Sequence, residues 1–587
     1  MNFIKRVLST VTGIFVFLAI CFISLIVLGV LFGGSSDEVV KVKPNSVLKL
    51  TLDFPVRDYA GRTEFAEYSF LNEDKKNGLF NIIDAIDYAA TDDKIKGISI
   101  ENHFINAGIS QTKALRNALL KFKASGKFIV SYSDIYTQKD YYLSSVADTV
   151  YLNPVGIFEF KGLSTERLYF KDFQEKTGFK MEVVRLGKYK SAVEPFLENE
   201  MSDNNREQIS AYLNSLWNEI KHDISSSRGI PMDRLNTIAD SLLARNPSLA
   251  KASNLIDKIG YHDEYINGIK YAIGVDLNDD LESITIKDYA EHTATKLLAN
   301  YSKNKIAVIY AEGDIIYGEG DKNTVGQGTM NRSLKEARED DRIKAIVLRV
   351  NSPGGSALAS ELIWREIELT KKVKPVIVSM GNYAASGGYY IACNADRIIA
   401  EPTTITGSIG VFGMLPNGKE LADNMGINAE QVVTNKNAVT YSFFEPLNDE
   451  QRAFIKEGVF DVYELFTTRV ADGRSMTQDA VKAIAQGRVW TGTDALANGL
   501  VDELGGLDLA LQYAAEASGI EDYNIKEFPV FEKDLDKMLE ELGIIKTKET
   551  ILKEELGTDT YNMLKKVKAI SQKKGIQLLF PFGTEIK

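Results

Sequence analysis

The sequence predicts an α/β protein built as two tandem copies of one unit, with a single transmembrane helix ahead of them. Three observations carry that reading. Strand-like apolar runs alternate with helical stretches (Ile343–Val350, Ser356–Lys372, Val376–Ser379, Gly387–Cys393, Arg397–Ala400), the order expected of βαβ units. A matching order recurs 248 residues earlier in the chain. The N-terminus opens on an uncharged, mostly apolar run from Val7 to Phe32.

That N-terminal run is 26 residues long. A signal-peptide core spans roughly 7–15 residues, whereas this length crosses a bilayer with some tilt. Lys5 and Arg6 precede it, Asp37 and Glu38 follow it, and the small residues Gly33-Gly34-Ser35-Ser36 after it make a poor cleavage site. The pattern predicts an uncleaved anchor over residues 1–35, in contact with the lipid bilayer, with a cytoplasmic N-terminus; a cleaved signal is the alternative, and either way the body is exported.

The duplication is read directly from the residues. DDKIKGISIE begins at Asp92 and DDRIKAIVLRV at Asp340, and the offset of 248 then holds without a gap. Phe128-Ile129-Val130-Ser131 falls on Val376-Ile377-Val378-Ser379, Tyr141-Tyr142 on Tyr389-Tyr390, Pro154 on Pro402, and Gly162 on Gly410. So long a period marks a duplicated domain rather than a solenoid. The units are expected at 46–275 and 304–520, joined by a polar connector at 276–303. In the tail, 521–587, the charged stretch Lys546 to Lys574 reads as a solvated helix packed on the body.

Composition narrows the function. The 587 residues are too many for one core. With 81 acidic against 69 basic residues, a net charge of −12 and a pI near 5.2, no nucleic-acid partner is expected. Cys21 and Cys393 make no disulfide framework, and His103, His222, His262 and His292 show no metal-ligand spacing. No metal or other cofactor is expected.

The informative comparison is between the copies. In copy two a β-branched run leads to Ala385-Ser386-Gly387-Gly388 and then an apolar helical segment, which puts Ser386 at or near a helix start. A serine there is commonly an N-cap, but its hydroxyl would also sit where N–H groups favour developing negative charge. Copy one has Gln138 at that position, and its loop His103–Gly108 lacks the Gly354-Gly355 pair of copy two. Copy one instead carries Gly187-Lys188-Tyr189-Lys190-Ser191-Ala192-Val193-Glu194-Pro195-Phe196; the related stretch of copy two keeps Lys436 opposite Lys188 and has Ala438 opposite Lys190. Each half has kept what the other lost, which suggests one composite site. A serine needs a base. A lysine serves if burial keeps it neutral, and Ser-Lys pairs are a known variant of triad logic. A histidine brought in from a distance remains open on the residues alone.

The segments RVNSPGGS, MGNYAASGGYYIA, TGSIGVFG and GKYKSAVEPF together resemble the signal peptide peptidase A family, peptidase family S49 of the ClpP/crotonase superfamily, in its long, duplicated Gram-negative form. The resemblance implies two ClpP/crotonase-like domains and a membrane-anchored serine endopeptidase. By position it makes Ser386 the nucleophile, Lys190 the general base, Ser408 a serine that orients the lysine, and Gly355 and Gly387 the donors of oxyanion N–H groups. Lys188 is the alternative base, disfavoured because its counterpart persists in the copy that lacks the other lysine. Also implied are peptide substrates left from signal-peptide processing, a homotetramer, and an inner-membrane location with the catalytic body on the periplasmic side. Val411, Phe412 and Met414 are expected to line an apolar groove. Two other classes share parts of the pattern: a crotonase-like acyl-CoA enzyme, and an inactive envelope scaffold.

Overall fold

A computed structural model of the chain describes residues 10–24, 41–59, 62–63, 78–297, 302–531, 552, 557, 561 and 575–579. Residues 10–24 are helical and largely exposed. The rest of the predicted span lies outside the described residues, and among the described residues no helix is long and apolar enough to cross a membrane. Most of the stretch Lys546 to Lys574 also lies outside them.

Two largely parallel sheets form the body, and six strands of each share one order. The first runs Lys258–Ile259, Thr149–Phe158, Phe128–Tyr136, Ile95–Ile100, Ser46–Leu50, Ser283–Thr285. The second runs Glu503–Leu504, Arg397–Ala400, Val376–Ala385, Ile343–Ser352, Lys305–Glu312, Asn524–Phe528, and beside Val376–Ala385 it also carries Ile405–Gly407, with Val489–Thr491 antiparallel beyond it. The central strands are continuous apolar runs because helices cover both faces; Ile346, Leu348, Val376 and Val378 are wholly buried. Each sheet takes its last edge strand from a segment the sequence left outside the unit. Ser283–Thr285 and the helix Ile286–Leu297 lie within the expected connector and complete the first sheet, and Asn524–Phe528 from the expected tail completes the second. Both are short and polar, which suits a sheet edge as well as it suits a connector or a tail.

A third, seven-stranded sheet joins the halves: Gly320–Asp321, Thr324–Gly326, Asp314–Ile316, Gly354–Ser356, Gly575–Leu579, Phe412–Asn417, Lys180–Arg185. Its last two strands come from different copies and pair antiparallel from Phe412↔Arg185 to Asn417↔Lys180. That register fixes the site, since Lys190 follows one strand by five residues and Ser408 precedes the other by four. An antiparallel pair sets those two ends side by side.

Buried polar contacts lock the same interface. The helix Ile109–Lys123 begins at Gly108, which has no side chain to cap it, and Asn382 of the other copy supplies the cap, accepting from Ser110 N at 3.0 Å. Copy two caps its equivalent helix with its own Ser356. Asp58 accepts from Arg349 Nε at 2.8 Å and from Gln111 Nε2 at 2.9 Å, with both ion-pair partners almost fully buried. Removing one partner strands the other charge, so Asp58→Ala is expected to cost about 3–5 kcal/mol in chemical unfolding.

Candidate active site

Lys190 leaves the strand Lys180–Arg185 through a turn at Gly187 and sits ahead of a short 3₁₀ turn, Ser191–Val193. Gly487, at φ +79°, lies against it; a Cβ there would come within 2.6 Å of Lys190 Cβ. Gly410 likewise leaves room for the side chain, its Cβ position being 3.3 Å from Lys190 Cδ. Gln208, from the helix Asp203–Arg228, holds the turn by donating to Tyr189 O at 3.0 Å and Ser191 Oγ at 2.9 Å. Gln208, Gly410 and Gly487 were not chosen from the sequence. The Gly410–Gly162 match was visible, but nothing local ties the other two to a lysine far away in the chain.

Ser386 ends the strand Val376–Ala385 and precedes the helix Gly387–Ala392. The N-cap reading fails there, because its side chain caps nothing in that helix. Its backbone is at φ 56°, ψ −114°, a region that side chains disfavour, so the hydroxyl is turned out of the helix. Ser408, at φ 52°, shares this feature. Their backbones are pinned: Ser386 N donates to Gly407 O at 2.8 Å, and Ser408 N to Arg488 O at 2.7 Å.

The three side chains meet. Lys190 Nζ lies 2.8 Å from Ser386 Oγ, 3.0 Å from Ser408 Oγ and 3.1 Å from Ser408 O. All three residues are 0% exposed. Burial alone pushes the lysine amine well below its ordinary value; no carboxylate opposes the effect. The partner set suits a neutral amine. Its two N–H groups serve Ser408 O and Ser408 Oγ, leaving the lone pair for the Ser386 hydroxyl proton. Around Lys190, Ala192, Val193 and Phe196 pack with Met181, Phe412 and Met414.

Gly354 and Gly355 form a short strand, Gly354–Ser356, rather than a free turn. A Cβ on Gly387 would stand 3.1 Å from Gly355 N, so the two expected oxyanion positions are neighbours. Gly354 needs its φ of +102° and its bare Cα, because a Cβ would meet Leu578 O at 2.2 Å and Gly387 N at 2.7 Å.

The rejected candidates lie elsewhere. Lys188 is exposed, its ammonium over the Tyr189 ring at 5.0 Å, and Lys436 pairs with Glu450 on the surface. His262 is against Glu101, His222 beside Asp223, His103 near Ser133 and His292 stacked on Tyr289, all within the first copy. Cys393 is buried, which pushes its thiol up to about 12. Among the described residues, no group of three or more His, Cys, Asp or Glu side chains could hold a metal ion.

Comparison with known proteins assigns the class. The family model for peptidase family S49 matches twice, at residues 121–276 and 368–521. The chain is 36% identical to Protease 4 of Haemophilus influenzae, over 86% of each chain. It is 35% identical to Protease 4 of Salmonella typhi, over 80% of this chain and 76% of that one. To the chloroplastic serine protease SPPA of Arabidopsis thaliana it is 33% identical, over 82% and 70% respectively. The chain therefore belongs to peptidase family S49, in its long, duplicated form, and is a serine protease.

Proposed function

We propose that Ser386 is the nucleophile of an endopeptidase reaction and Lys190, from the other copy, its base and then its acid. The observation that carries this reading is the 2.8 Å separation of Lys190 Nζ and Ser386 Oγ in a buried, carboxylate-free setting. As Ser386 Oγ bonds to the scissile carbonyl carbon, its proton passes to the Lys190 lone pair. The C–N bond then breaks, and the leaving amine takes that proton. Water repeats the sequence on the acyl-enzyme. The N–H groups of Gly355 and Gly387 stabilise the tetrahedral oxyanion, and Ser408 holds the amine in line.

The substrates are apolar, extended peptides, specifically signal-peptide remnants. Similarity to a protein named "Putative signal peptide peptidase SppA" from Enterococcus faecium, 34% identical over 40% of this chain, supports that choice. The body acts on the periplasmic side of the inner membrane, held by residues 1–35, as a homotetramer of ClpP/crotonase-like domains; the charge pattern around Val7 to Phe32 supports the anchor. A fluorophosphonate probe should label the wild type and leave Ser386→Ala unlabelled; equal labelling of both would remove Ser386 from the reaction.

Ser408→Ala deletes one of the three groups that fix the amine. It is expected to lower kcat by about 10²-fold with KM little changed. Steady-state kinetics on a fluorogenic peptide checks this, and an unchanged kcat would rule out the orienting role.

A further inference from the structure

A cavity of about 260 Å³ lies where copy one meets copy two. Ala107, Gln138, Lys139 and Leu163 line it, and the offset of 248 places them on Gly355, Ser386, Gly387 and Val411. It is thus copy one's counterpart of the catalytic cleft. The chemistry has gone from it. Gln138 stands for the serine, and its amide is spent on the chain beside it, donating to Gly162 O at 3.0 Å and accepting from Lys161 N at 3.0 Å and Gly162 N at 2.8 Å. The apolar pocket has stayed, with Ile109, Leu163, Leu216, Ile220 and Ile405 in its wall.

Lys139 is the cation among the lining residues, where the catalytic copy has a glycine. It donates to Ala107 O at 2.6 Å, and as an ammonium it keeps two further N–H groups. Among the described residues no carboxylate pairs with it. Asp140, the charge acting on it, accepts instead from Ile105 N at 2.9 Å and from Thr137 Oγ1. Burial pushes the amine below its ordinary value, a cost that an anion would offset. Asn382 adds a donor to the same lining. Its Oδ1 accepts from Ser110 N at 3.0 Å, and its Nδ2 has no partner among the described residues.

Size and chemistry narrow the ligand. A cavity of roughly 150 Å³ admits benzene, so this one takes about ten non-hydrogen atoms. An apolar wall with an ammonium and an amide donor set into it suits a carboxylate on a short hydrocarbon. We infer that this cavity is a second binding site, for an apolar carboxylate of octanoate or acyl-leucine size, with the carboxylate on Lys139 and the hydrocarbon against Leu216, Ile220 and Ile405. Two sources share that chemistry: the carboxyl end of an apolar peptide released by hydrolysis, and a fatty acid from a lipid bilayer. The wall continues into the catalytic half. Tyr383 and Ile405 also line the cavity and pair with each other, three residues ahead of Ser386 and Ser408 respectively. Leu216 and Ile220 lie on the helix Asp203–Arg228, whose Gln208 holds the Lys190 turn. A ligand here therefore touches elements that position all three catalytic side chains.

Isothermal titration of the full-length wild type in a neutral detergent tests the site, with octanoate and N-acetyl-leucine each set beside its uncharged amide. At least one acid is expected to bind about 10-fold more tightly than its amide. Octanoate as the tighter acid assigns the bilayer as the source, and N-acetyl-leucine the peptide product. Lys139→Met should erase the preference for acid over amide. Ile220→Trp, which fills the cavity, should weaken every ligand that binds by about 10-fold. Should either variant fold poorly, a diazirine analogue of octanoate decides on the wild type, where its photo-adducts should fall on 107–109, 139, 163, 216–220 or 405. Equal affinity of acid and amide in both pairs, a preference that survives in folded Lys139→Met, or adducts confined to other residues would overturn the site. None of these results bears on Ser386, whose labelling is a separate test.

Discussion

Lys190→Met is expected to abolish peptide hydrolysis and, at neutral pH, to make the protein more stable. Activity should fall about 10⁴-fold or more, the scale seen when a member of a nucleophile–base unit is removed. The stability change follows from burial. In the fold the amine is held well below its ordinary value by desolvation, while in the unfolded chain it titrates near 10.4. Between those two values the unfolded state binds the extra proton, so wild-type stability rises with pH across that window and is lowest below it. Methionine fills a similar volume and carries no such penalty. The variant's advantage in thermal unfolding should therefore be full below the lowered value and close as pH approaches about 10.4. Lys188→Ala, at an exposed position, should leave both activity and stability near wild type. A Lys190→Met protein that still hydrolyses peptide would remove the amine from the chemistry.

Ser386→Ala should be equally severe in rate, with turnover falling about 10⁴–10⁶-fold and no acyl-enzyme in a burst experiment. Little should change in the fold. The backbone at this position is pinned by Ser386 N on Gly407 O and by Tyr390 N on Ser386 O, contacts an alanine retains. The positive φ is no worse for alanine than for serine in steric terms. Unaltered binding of a substrate peptide with vanished turnover is the expected pattern; measurable burst kinetics in the variant would contradict it.

The sequence made the site legible because duplication supplied an internal control. Gln138 under Ser386 and Ala438 under Lys190 marked what each half had given up, and the family motifs then assigned roles. Local pattern also found the strand–turn–helix around Ser386, since the apolar run, the small residues and the glycines all act within one segment. Other features depend on partners far away in the chain. The strands Ser283–Thr285 and Asn524–Phe528 are short and polar at sheet edges, and nothing in their own residues says which sheet they join. The six-pair ladder between Lys180–Arg185 and Phe412–Asn417, which brings the halves into register, spans more than 200 residues of sequence. The strand Gly575–Leu579 likewise pairs with Gly354–Ser356 and Phe412–Met414, far away in the chain. The conformation of Ser386 was hidden for a different reason. Serine is a common N-cap, and only its positive φ reveals that the hydroxyl is turned to Lys190 instead.

The most direct test of a hydroxyl and an uncharged amine donated by opposite copies is the pH dependence of fluorophosphonate labelling, with the adduct mapped by mass spectrometry. The wild type should carry the adduct on Ser386 alone, at a rate that climbs with pH and levels off well below the ordinary lysine range, and Lys190→Met should lose that climb. An adduct on any other residue, or a profile that Lys190→Met leaves unchanged, would contradict the shared site.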